Sequence, residues 1–94
     1  MFVSHPFKGD EEMNLARVGK ICRQLVNQGI MPISPLHSLR FLSDDEHREY
    51  ALKWCKEMIK MCDEVWVYGD WERSEGCLME IAWAGELGKL VMFP

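Results

Sequence analysis

The sequence has no run of basic residues, no CxxC pair, no low-complexity stretch and no apolar run long enough to span a bilayer, and each absence removes a class of function. With a formal net charge of -4 and a pI near 5.3, duplex nucleic acid and anionic membranes are excluded as main partners. A small anionic ligand stays open, because local amides and one arginine can outweigh the net charge. No charged segment followed by an apolar core and a cleavage site opens the chain, so a cytoplasmic location is expected. Cys22, Cys55, Cys62 and Cys77 each fall where a helical pattern calls for an apolar residue, which reads as buried thiols. A zinc site drawing on them and on His5, His37 or His47 lacks the tight local ligand pair it needs, so no metal is expected. The spaced glycines of a dinucleotide fingerprint are missing from the first turn, which argues against a nicotinamide and leaves no cofactor to expect.

What is present is one domain. A chain of 94 residues that is 48% hydrophobic suits a single globular unit over residues 1–94 with a thin core. MFVS opens as a short strand, and HPFKG turns after it. Asp10, Glu11 and Glu12 begin a helix that carries Leu15, Val18, Cys22, Leu25 and Val26 at helical spacing until Gly29. IMPIS predicts a second strand, ended by Pro35, and PLHSLRFL is irregular. Ser43 with Glu46 forms a capping box for a second helix with an apolar stripe of Tyr50, Ala51, Trp54, Cys55, Met58, Ile59 and Cys62. EVWVYG is a buried strand, SEGCLMEIAWAGELG a third helix closed by Gly88, and KLVMF the last strand.

Strands alternating with helices predict an α/β fold: a minimal doubly wound parallel sheet of four strands in the order 2-1-3-4, with three helices. The first helix then covers one face and the other two cover the opposite face, so part of the first face over the last two strands stays bare. Val65 and Val67 point to one side and Trp66 and Tyr68 to the other, so both faces are apolar and the bare one needs a cover. Ten aromatic residues and seven methionines are also more than one small core needs. A homodimer or larger homo-oligomer is the expected result.

In such sheets a ligand binds at the carboxyl ends of the strands, where the strand order reverses. That edge receives His5, Pro6, Phe7, Lys8 and Gly9 from the loop after the first strand, and His37 lies near it. The loop after the third strand brings Asp70, Trp71, Glu72, Arg73, Ser74 and Gly76. Glu80 then stands out. At about 100° per residue it lies far round the helix axis from Glu75 and Glu86, which mark the solvated face. Its neighbours one turn away, Gly76, Cys77, Trp83 and Ala84, offer no ion-pair partner. Its side chain tilts back toward the ligand edge, where the amides and hydroxyl of Ser74 to Gly76 suit a phosphate or sugar oxygen and Gly76 keeps space open. The alternative is structural: Glu80 as the buried partner of Arg17 or Arg40, Ser74 as a plain cap, Gly76 as a packing glycine, Trp71 as a loop cover, and His5 and His37 as hydrogen-bonded loop residues.

SHPFKGD, PISP, CDEVWV and above all GDWERSEGCLMEIAWAGELGK resemble the nucleoside 2-deoxyribosyltransferase-like superfamily, including its small members, over nearly the whole chain. The resemblance implies a flavodoxin-like (Rossmann-like) sheet, paired subunits and a nucleoside or nucleotide ligand. It also implies a glutamate nucleophile in the S-x-G-x-x-x-E string, matched here by Glu80, with Ser74 and Gly76 matching the oxygen-binding helix start. Deoxyribosyl transfer or hydrolysis would follow, with no cofactor. One position departs. The family's partner aspartate falls eight residues before Asp63, where this chain has Cys55. Either Asp70, Asp44 or Asp45 protonates the leaving base, or the reaction differs, or the fold binds a nucleotide without cleaving it. The histidine of SHPF also replaces a small residue usual in that turn.

Overall fold

The structure is a computed structural model that describes residues 1–42 and 45–94. The expected capping box at Ser43 and the candidate acid Asp44 therefore lie outside the described residues.

Three strands, β1 (Phe2–Ser4), β2 (Glu64–Val67) and β3 (Leu90–Met92), form a parallel sheet in the order β1-β2-β3. Phe2, Val3 and Ser4 align with Val65, Trp66 and Val67, and Trp66 with Met92. The segment expected as a fourth strand forms a single parallel bridge, Ile33 to Phe2, outside β1. Backbone bonds from Val3 N to Ile33 O at 2.9 Å and from Ile33 N to Met1 O at 2.7 Å, with the Met1 ammonium donating to Met31 O at 3.1 Å, hold it there. Pro32 has no N–H to donate, and Pro35 starts a helix directly after Ser34.

Among the described residues four α-helices flank the sheet where three were expected. α1 (Glu11–Asn27) is capped by Asp10, whose carboxylate accepts the Met13 amide at 3.3 Å. The extra one, α2 (Pro35–Ser38), arises in the stretch that sequence left irregular. Ser34 accepts the His37 amide and Pro35 sits in the first turn, both helix-start signals packed into four residues. Arg40–Leu42 and Asp45–His47 form 3-10 turns. α3 (Arg48–Lys60) follows His47 with no side-chain cap, and α4 (Glu75–Glu86) is capped by Ser74, whose hydroxyl accepts the Cys77 amide at 3.2 Å.

Alternation along the strands splits the core in two. Phe2, Val65 and Val67 face Ile59 and Cys62 at the end of α3 and Ala84 of α4, while Val3 faces Val18 and Leu25 of α1 with half-buried Tyr68 and Leu36 beside them. The stripe read on the second helix is narrower than expected, since Tyr50 and Trp54 are exposed at its border. Ser4 follows the same alternation onto the α3–α4 face, one step above the apolar layer, and this places a hydroxyl at the carboxyl end of the sheet.

Candidate functional site

Glu80 sits where α4 passes over the carboxyl ends of β1 and β2, and it is 8% exposed. Its carboxylate accepts the Ser4 hydroxyl at 2.6 Å through Oε1. The Cys55 thiol from α3 also donates to it. Neither Arg17 nor Arg40 forms an ion pair with it among the described residues, so its surroundings are neutral donors. Burial pushes the Glu80 carboxyl up against the opposing pull of the bonds from Ser4 and Cys55, to a net value of about 7. Burial, and then the nearby Glu80 charge and its hydrogen bond, push the Cys55 thiol up to about 12, so it stays protonated and serves as a donor. Cys77, one turn before Glu80, is buried beside Ser4 and Ser74, and burial raises its thiol too.

Above this group opens a cleft of about 560 Å³, within the size range of small-molecule sites. Of the residues singled out in the sequence, His5, Pro6, Phe7, Asp70, Ser74, Gly76 and Glu80 line it. Three do not. Trp71 turns toward the core of the α3–α4 face and stacks on Phe93 at 4.9 Å between ring centres, so it covers the sheet end. His37 is exposed, with Nδ1 and the Ser34 hydroxyl 2.7 Å apart, and Gly9 forms the turn before α1 with a φ of 103°. Asp70 reaches the rim, yet its side chain is 71% exposed and lies 3.6 Å from Arg73. Asp45 is 93% exposed and pairs with Lys8 at 3.7 Å. Neither carboxylate enjoys the shielding that raised Glu80.

The two loops at the sheet edge fit through Gly69. It adopts a φ of 71°, and a Cβ there would lie 3.0 Å from His5 Nε2 and 3.1 Å from Pro6 Cδ. His5 is thereby pinned: Nδ1–H donates to the Pro6 carbonyl at 2.8 Å, since a carbonyl can only accept, and Nε2 is left on the Gly69 side of the cleft. Asn14 on α1 ties the same loop down by donating to the Phe7 carbonyl at 3.0 Å. Over Gly76 the cleft is open, because a Cβ there would meet nothing closer than the Ser74 hydroxyl at 3.9 Å.

Sequence reasoning missed Ser4 and Asn14, and gave Arg17 and Arg40 another role. Ser4 had a signal: a lone hydroxyl ending an apolar strand at the ligand edge is placed to face the next layer. No group of three or more His, Cys, Asp or Glu residues suited to a metal occurs among the described residues, all four thiols are free, and no helix among them is long and apolar enough to cross a membrane. Compared with known families, residues 1–93 match a domain of unknown function, DUF7768. No curated protein matches the chain.

Proposed function

Because the chain belongs to the DUF7768 family, whose description carries no chemistry, the site must speak for itself, and we propose that the protein is an N-glycosidic-bond enzyme. In this reading it acts on deoxyribonucleosides or their monophosphates, by transfer or hydrolysis, with Glu80 as nucleophile. The observation that carries it is a carboxylate buried at the floor of an open cleft, held by two neutral donors and paired with no cation among the described residues. A structural ion pair would show the opposite arrangement.

Glu80, once ionised, attacks the anomeric carbon. The bond from that carbon to the base nitrogen breaks with its electron pair going to the base, and a glycosyl ester forms on the enzyme. Water or a second base then releases the sugar. The leaving base needs a proton, and Cys55, held up at about 12, is too weak an acid to give it. His5 is better placed than Asp70 or Asp45: it is buried at the sheet edge, it lines the cleft, and its ring is fixed by Pro6. Protonated at Nε2 it gives the base its proton, and in the second step the same nitrogen takes one from the acceptor. Ser74 and the amides at the start of α4 hold an oxygen of the sugar or of its phosphate.

Chromatography of deoxynucleosides and their monophosphates after incubation with the protein tests this. Free base is expected, with a rate that rises as pH climbs through about 7, where Glu80 ionises. Glu80→Gln should lower that rate about a thousandfold or more. Cys55 favours a second reading, a catalytically silent nucleotide-binding or sensing module, because the thiol stands where an acid would serve catalysis. Ligand binding without base release from the wild-type protein would select it.

The same reading extends to the fold and the assembly. The Ile33 bridge stands for the outer strand of a four-strand sheet in the order 2-1-3-4. Leu90 and Met92 remain 55% and 40% exposed beside Trp66 on the α1 face, and a second copy of the chain is the natural cover for an apolar face of this kind. A cytoplasmic location accords with thiols that stay free.

A further inference from the structure

We infer that the ligand of this cleft carries a phosphate, taken up by Arg17 and Arg40 together with the open amides at the start of α4. This deepens the reading above and rests on it for the nucleoside part of the ligand. The chain is net acidic, yet of its five arginines Arg17, Arg40, Arg48 and Arg73 line one cleft, and Arg23 alone lies elsewhere. Chance scatter over the surface does not favour such a concentration around a buried carboxylate.

The four are not equivalent. Arg48 lies 3.0 Å from Glu75 and Arg73 lies 3.6 Å from Asp70, and Lys8 is likewise matched by Asp45. Those three cations are therefore already answered by carboxylates. Arg17 and Arg40 have no carboxylate within ion-pair distance among the described residues. Both are referenced to the same loop: the Arg40 guanidinium lies 5.9 Å from the centre of the Phe7 ring, and Arg17 leaves α1 one turn after Asn14, which holds the Phe7 carbonyl. Stacking on a ring face steadies a guanidinium while leaving its N–H edge able to donate. Two such forks suit the oxygens of a phosphate, whereas a neutral sugar and base would leave two cations at the mouth unanswered. At the start of α4, Ser74 caps the Cys77 amide and leaves those of Glu75 and Gly76 without a partner among the described residues, over open space.

Calorimetry on the full chain with deoxynucleosides, their 5′-monophosphates and inorganic phosphate decides it. The monophosphates should bind about tenfold or more tighter than the nucleosides, the scale expected for charge-assisted bonds. The double variant Arg17→Gln, Arg40→Gln should abolish that difference. Equal affinity for nucleoside and monophosphate overturns the inference, and so does a preference that survives in the double variant. Monophosphate binding that depends on both arginines without any base release upholds the inference and sinks the enzymatic reading instead. Binding of inorganic phosphate alone, lost in the double variant, upholds the phosphate site and removes the nucleoside. Absence of binding by all three ligands overturns both.

Discussion

The two faces of the sheet are built from the same alternating strands but are finished differently. Over Phe2, Val65 and Val67, two helices close a continuous buried layer, and at its upper end that layer changes into Ser4, Cys55, Cys77 and Glu80. Over Val3 a single helix supplies Val18 and Leu25, and beyond it Trp66, Leu90 and Met92 are left partly or largely exposed. The number of helices per face therefore sets both where a carboxylate can be desolvated and where apolar surface is left over. The site belongs to the closed face, and the surplus surface to the other.

The sharpest break in this comparison is Ile59→Ala. Ile59 is fully buried between β2 and α4, and truncation should cost about 2–5 kcal/mol, read as a lowered urea midpoint. Leu25→Ala at the far end of α1 should cost less, because its cluster has only three buried members among the described residues and is completed by half-buried side chains that can relax into the gap. A comparable loss from both would show that the faces are equally packed.

The second test turns on the desolvated acid. A folded-state value of about 7 against 4.5 for the free group means that the folded protein binds more protons than the unfolded chain across that window. Stability attributable to Glu80 is therefore fully present below about 4.5 and lost as pH rises to about 7, by about 3 kcal/mol. Glu80→Gln should remove this slope and raise stability above pH 7, as seen in denaturant midpoints taken from pH 5 to 8. A slope that persists unchanged in the variant would place the titration elsewhere.

Gly69→Ala probes the seam between the faces. The left-handed φ alone should cost about 1–2 kcal/mol, and the added methyl must displace the His5 ring or the Pro6 ring. Base release should fall by more than this loss of stability accounts for, since His5 loses its position. The smallest effect is expected on the bare face. Met92→Lys should change monomer stability by no more than about 0.5 kcal/mol yet lower the mass measured by light scattering. A wild-type protein of 11.0 kDa in solution would show that the face stays uncovered.

How much was legible follows from how far apart the determining residues lie. Glu80 could be found because helical phase is a local property: Glu75 and Glu86 fix the wet side of α4, and the odd carboxylate stands out. Ser74 as the cap of α4 was legible for the same reason, and the structure keeps it. Trp71 carried two readings, ligand contact and loop cover, because a single residue in a 3-10 turn has no periodicity to tell inward from outward; in the structure its ring lies 4.9 Å from that of Phe93. Proline chemistry shortened the expected fourth strand to a bridge. IMPIS has the apolar character of a strand, but Pro32 and Pro35 leave it a single bridge.

By itself the sequence determined an α/β chain with parallel strands, helices in their places, and a buried acid on the last helix, because propensity, capping and periodicity act over a few residues. Only the tertiary structure decided what that acid touches. Ser4 and Glu80 are 76 residues apart and meet through a 2.6 Å bond, Cys55 joins them from α3, and Gly69 lets His5 close in from another loop. Such meetings depend on how the sheet brings its strand ends together, and desolvation, which sets the acidity of Glu80, exists only once the layers have closed.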